Sequence, residues 1–206
     1  AKAAIKGYED QMCVAVVNSP TMVTVAGDKE PLEEIAGKLE EEGKFVRQLR
    51  INYAFHSHQM EPIKDELLEA LKDIKPQATK IPYISTVTGG ALRGEDLDGM
   101  YWWRNVREAV LFAPAMTNLI RGGERLFVEI GPHPALASPI NECLQEQGRK
   151  GSVFHSLKRK TNETMNMLGN LADLHLYGID IDWKAVNQAA GEFVPQPAYP
   201  WTKEKF

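Results

Sequence analysis

The residues best suited to chemistry lie together in Tyr53-Ala54-Phe55-His56-Ser57-His58-Gln59-Met60. A histidine is the side chain that takes and returns a proton near neutral pH, because its ordinary pKa is about 6.5. His56 sits between a strand-like run (Phe45 to Ile51) and a helical pattern beginning near Glu61 and Pro62. Such a junction can hold the backbone rigidly and leave the ring facing a cleft. The ordinary alternative is a hydrogen-bonded core or rim histidine beside Tyr53 and Phe55. His56 and His58 could share a strand face as a metal pair. No further ligands stand at a metal-motif spacing, so no metal site is expected, and His58 reads as a surface or helix-start residue. His133, in Gly131-Pro132-His133-Pro134, reads as a structural turn, and His155 and His175 carry no signal. The serines at 19, 57, 85, 138, 152 and 156 all lack the flanking glycines of a Gly-x-Ser-x-Gly nucleophile elbow.

The elements that must position these residues are mixed. Met12 to Val17 (MCVAVV) and Thr21 to Ala26 (TMVTVA) read as a hairpin around Asn18-Ser19-Pro20. Glu30 and Pro31 open a helix whose Leu32, Ile35, Ala36 and Leu39 form one apolar stripe, and Gly43 stops it. With Phe45 to Ile51 as a further strand, this is a small ferredoxin-like α+β layer. Beyond it, Ile63, Leu67, Ala70, Leu71 and Ile74 mark a helix over 61–74, with Pro62 in its first turn. Ile81 to Thr86 reads as a strand, Gly89-Gly90 as a turn and 93–99 as a polar loop. Tyr101 to Asn105 reads as an aromatic turn or short helix, and Phe112, Ala115, Met116, Leu119 and Ile120 as a helix. Leu126 to Ile130 is a buried strand, followed by a helix through Leu136, Ile140, Cys143 and Leu144, then a strand at Ser152 to His155. This alternation predicts a partly parallel sheet covered by helices. Thr164 to Tyr177 is a helix, Ile179, Ile181 and Trp183 alternate as in an edge strand, and the proline-rich end from Phe193 is an extended tail whose Tyr199, Trp201 and Phe206 dock on a surface.

Bulk composition excludes several function classes. The 206 residues are 43% hydrophobic and 25% charged with a formal net charge of −4, ordinary for a globular protein. That charge does not favour nucleic acid or an anionic membrane as main partner. The basic run Leu157 to Lys160 reads as a solvated face. No apolar run approaches the about 18 residues of a membrane span, and no signal peptide is evident. Cys13 and Cys143 are far apart in sequence and read as free core thiols in a reducing compartment. The expectation is a cytoplasmic protein.

The stretches YAFHSHQM, YWWRNVREAVLF, LFVEIGPHPAL and AYPWTKEKF, in this order, resemble the acyltransferase domains of modular (type I) polyketide synthases, here the C-terminal portion with the post-acyltransferase linker. The resemblance covers nearly the whole chain. It implies an α/β fold: the C-terminal part of an α/β-hydrolase-like acyltransferase subdomain (53–150), a ferredoxin-like small subdomain (1–52) and an extended linker (151–206). It implies that a serine attacks the thioester of an acyl-coenzyme A, that His56 is the catalytic base, and that the acyl group passes to the phosphopantetheine thiol of an acyl carrier protein. It implies no permanently bound cofactor. Asn105, by its place in the motif, supplies the acceptor for the other His56 nitrogen through its backbone carbonyl, making a Ser-His dyad. Tyr53 and Phe55 are the specificity residues; Phe55 goes with malonyl and Tyr53 with the methylmalonyl pattern, so YAFH is a hybrid read as malonyl. The resemblance puts the elbow upstream of the small subdomain, so this chain is expected to be inactive alone and to work with the N-terminal part of the acyltransferase, the carrier protein and a ketosynthase. The competing readings are a non-catalytic docking segment and a free-standing malonyl transferase of fatty-acid synthesis.

Overall fold

A computed structural model describes residues 2–49, 51, 53–187, 194–198 and 200. Strand β1 (Met12–Val17) pairs antiparallel with β2 (Val23–Gly27), with a bulge between Val14 and Val16. Helix α1 (Lys29–Glu41) lies on this hairpin. Its apolar stripe delivers Leu32, Ile35 and Leu39 to a cluster with Ile5, Met12, Val14 and Val25. The spacing of those residues is what one helix face needs to cover one sheet face.

The expected strand at Phe45 to Ile51 does not form among the described residues: 44–49 carry no regular structure, and Phe45 is 91% exposed. Neither edge of β1 is open to it. One edge of β1 is taken by β2. The other pairs with Val110, whose N–H donates to the Ala15 carbonyl (2.8 Å) and whose carbonyl accepts from the Val17 N–H (2.9 Å). Residues 44–49 pair with neither β1 nor β2.

The helix expected over 61–74 is shorter and divided. A 3-10 helix spans His58–Ile63 and contains Pro62, and α2 follows at Lys64–Ala70. A proline there supplies no donor, so regular α-helical bonding starts after it. The strand at 81–86 is reduced to β3 (Tyr83–Ile84), paired antiparallel with β4 (Ala91–Leu92) across the Gly89 turn. The loop at 93–99 holds a 3-10 turn at Gly94–Asp96 and the start of α3 (Gly99–Arg107), which absorbs the aromatic segment. Asp98 caps α3 by accepting from the Tyr101 N–H (2.8 Å), and Tyr101 and Trp103 face inward.

Helices α4 (Phe112–Gly122) and α5 (Ala137–Glu146) form the larger core. Met116, Ile120, Ile140, Cys143 and Leu144 are buried together against Phe127 and Val153. The last two belong to β5 (Leu126–Glu129) and β6 (Ser152–His155), a parallel pair. The strands therefore make separate two-stranded sheets, one of them parallel, in place of one continuous partly parallel sheet. Helix α6 (Glu163–Leu176) follows the expected span. The edge strand expected at 179–183 is absent; Asp182 accepts from the N–H groups of Lys184 and Ala185 and caps a short helix, α7 (Trp183–Val186). Val194 to Ala198 have no regular structure, and Tyr199, Trp201 and Phe206 lie outside the described residues. Among the described residues no helix is long and apolar enough to cross a membrane.

Candidate active site

His56 leaves the small layer in a left-handed conformation, φ 64°. For a residue with a Cβ this costs of order 1–3 kcal/mol, so surrounding bonds must hold it. They do so from several directions. The His56 N–H donates to the Val106 carbonyl (3.0 Å), and its own carbonyl accepts from the Cys13 thiol (3.1 Å). The ring Nδ1 lies 2.9 Å from the Glu108 carbonyl oxygen. A carbonyl can only accept, so Nδ1 carries the proton and Nε2 of the neutral ring presents its lone pair. Among the described residues no hydrogen bond reaches Nε2.

Both carbonyls belong to one helix end. Val106 is in the last turn of α3 and Glu108 is its C-cap. The final carbonyls of a helix have no intrahelical partner, and they form the negative end of its dipole. The loop bearing His56 supplies the missing donors. A positive charge arriving on the ring is stabilised by that end.

The helix end is itself anchored. Arg104 grips the Glu108 carboxylate through Nε (2.8 Å) and Nη2 (3.1 Å), and Arg107 Nε reaches Glu61 Oε1 (2.6 Å) in the 3-10 helix that follows His56. Next to the histidine, Ser57 is fully buried. Its hydroxyl donates to the Ala54 carbonyl (2.6 Å) and accepts from the Gln59 N–H (3.2 Å), capping the 3-10 helix. The loop also reaches the small layer: Gln59 Nε2 donates to Asp28 Oδ1 (2.7 Å), and His58 Nε2 lies 3.4 Å from the same oxygen. His58 thus starts the helix at the surface. Among the described residues no group of three or more His, Cys, Asp or Glu side chains is arranged to hold a metal.

The expected acceptor was Asn105, and here the geometry corrects the sequence. Nδ1 meets the carbonyl of Glu108, three residues further on, past the last full turn of α3. Asn105 lies in the last turn of α3, and its side chain is half-buried. Tyr53 and Phe55 form an edge-to-face pair with centroids 4.9 Å apart, and Phe55 lies 6.4 Å from the His56 ring. Both rings are largely exposed, at 59% and 45%. His133 occupies an exposed turn, where its Nδ1 accepts from the Arg159 N–H (3.4 Å). Two open grooves lie away from His56: one of about 530 Å³ between Val17, Pro20, Ala113 and Asn118, the other of about 660 Å³ beside Phe154, Asn170 and Tyr177. Sequence reading missed Glu108, Val106 and Cys13. The first two act through main-chain carbonyls, which every residue possesses, so only the end of α3 could have pointed to them.

Residues 1–181 match the family described as acyl transferase domain. Polyketide synthase GfsE of Streptomyces halstedii is 36% identical over 205 residues, covering 99% of this chain and 5% of that protein. Erythronolide synthase EryA2 of Saccharopolyspora erythraea is 34% identical over 204 residues, covering 98% of this chain and 6% of that protein. In three dimensions, the acyltransferase domain from module 8 of the salinomycin polyketide synthase matches with a TM-score of 0.85 at 33% identity, over 89% of this chain and 43% of that one. The chain spans a small fraction of the curated synthases and under half of the solved domain. The chain belongs to the acyl transferase domain family, among the acyltransferase domains of modular polyketide synthases.

Proposed function

We propose that this chain carries the base-bearing part of an acyltransferase that moves malonyl from coenzyme A to the phosphopantetheine thiol of an acyl carrier protein within a polyketide synthase. The observation that supports this best is the His56 ring, held by its Nδ1–H on the Glu108 carbonyl with Nε2 left open. In the first half-reaction Nε2 takes the proton of a serine hydroxyl as that oxygen attacks the acyl thioester. The C–S bond breaks, and the proton passes from Nε2 to the departing coenzyme A thiolate. In the second half the carrier thiol gives its proton to Nε2 and attacks the serine ester, and the serine oxygen recovers the proton. The orienting acceptor is a neutral carbonyl at a helix C-terminus, so the transient imidazolium is met by a dipole rather than by a full carboxylate charge.

The serine comes from outside this sequence. None of the serines present lies in a Gly-x-Ser-x-Gly turn, and Ser57, next to the histidine, is buried with its hydroxyl committed to Ala54. A ketosynthase and the serine-bearing part of the acyltransferase are the expected neighbours. Phe55 narrows the space beside His56 that an α-methyl would need, favouring malonyl. One methyl in a shaped pocket is discriminated by about 10–200-fold. The test is loading with radiolabelled malonyl- and methylmalonyl-coenzyme A. This chain alone gives no covalent adduct, and the acyltransferase that includes both it and the serine loads malonyl at least about 10-fold faster. A stable adduct on the chain alone, or equal loading of the two acyl groups, contradicts the proposal.

A further inference from the structure

We propose that Cys13 is a positioning residue for His56, its thiol holding the left-handed backbone that aims the imidazole. The inference rests on the reading of His56 as the base. The His56 N–H is bound by Val106 and the ring by Glu108, so the carbonyl is the remaining main-chain handle, and Cys13 Sγ donates to it at 3.1 Å. Val106 and Glu108 belong to the end of α3, whereas Cys13 belongs to β1. The thiol therefore ties the histidine backbone itself to a second element, alongside the contacts of Gln59 and His58 with Asp28.

Strand β1 is suited to this task. Met12, just before Cys13, and Ala15, two residues after it, are almost fully buried, at 1% and 2% exposure. The same strand binds Val110 through the Ala15 carbonyl and the Val17 N–H, which fixes the segment supplying the Glu108 carbonyl. Histidine and acceptor are thus both referenced to β1. Only the protonated thiol can donate, and burial pushes the Cys13 thiol above its ordinary range, against a smaller opposing effect of the Arg107 charge. Cys13 is otherwise outside the chemistry: it makes no disulfide.

The test compares Cys13→Ser, which keeps a donor, with Cys13→Ala and Cys13→Val, which do not; valine also keeps most of the volume. In the acyltransferase that includes this chain and the serine, the alanine and valine variants lower kcat by about 3–10-fold with KM for acyl-coenzyme A unchanged, and serine restores it. In the 206-residue chain, hydrogen exchange of the His56 amide becomes faster by a similar factor in the same two variants only. A serine variant as impaired as alanine and valine, or exchange that is identical in all of them, overturns the proposal. If exchange responds as described while His56→Gln leaves transfer intact, the base assignment fails and the positioning bond stands.

Discussion

Replacing Ser57 by alanine tests whether the loop around His56 is held as described. The hydroxyl is completely buried, donates to the Ala54 carbonyl at 2.6 Å and accepts from the Gln59 N–H at 3.2 Å. Alanine removes a helix cap, a loss of about 1 kcal/mol, and leaves the Ala54 carbonyl without its donor, a further 1–2 kcal/mol or so. The side chain shrinks by a single oxygen, so the cavity contribution is small. The expected destabilisation is about 2–3 kcal/mol, seen as a lower urea midpoint at unchanged slope. For a chain of this length it corresponds to a Tm lower by roughly 4–12 °C. Trp102 and Trp103 in α3 provide a fluorescence signal close to the loop. A loss below about 0.5 kcal/mol, in the range of an ordinary surface substitution, would refute the claim that Ser57 holds this turn.

Two further expectations concern pH. Burial, followed by the hydrogen bond with Tyr101 (2.9 Å between hydroxyls), pushes the Tyr83 phenol from about 10 up to about 12. A raised folded-state value means stability is fully present below pH about 10 and is lost as pH rises towards about 12. Tyr83→Phe therefore flattens the fall in urea midpoint across that window, and an unchanged fall would refute the assignment. Glu142 takes hydroxyl donors from Ser19 (2.5 Å) and Thr21 (2.6 Å), tying the hairpin turn to α5, and these bonds hold its carboxyl below the usual range. Its contribution is present above the ordinary carboxylate pKa of about 4.3 and is lost as pH falls through the lower folded value. Glu142→Gln should shrink the acid-side loss of Tm; an identical acid limb would count against it.

What could be read in the sequence follows from which interactions leave a periodic or side-chain signature. The run Met12–Val17, the stripe Leu32, Ile35 and Leu39, and the face through Met116 and Ile120 are burial patterns, and each is found where its period puts it. Alternation at 45–51 and at 179–183 has the same appearance, yet no strand forms at either place among the described residues. A strand needs a partner edge as well as a pattern, and among the described residues neither segment is paired with one. The histidine was legible because its chemistry resides in its side chain. Its partner was not: the Asn105 and Glu108 carbonyls both belong to the last turn and cap of α3, and only the packing of the His56 loop against that end selects Glu108. The left-handed backbone of His56 and the Cys13 thiol that meets it leave no mark in local sequence either, since Cys13 is a strand residue far away in the chain.

The most direct measurement is transfer of radiolabelled malonyl to the carrier protein by the acyltransferase that includes this chain, comparing His56 with His56→Gln at matched Tm. Removing a positioned general base lowers kcat by about 100–10,000-fold, with acyl-coenzyme A binding retained. A His56→Gln enzyme that transfers malonyl at the unmodified rate would contradict the assignment of His56 as the base.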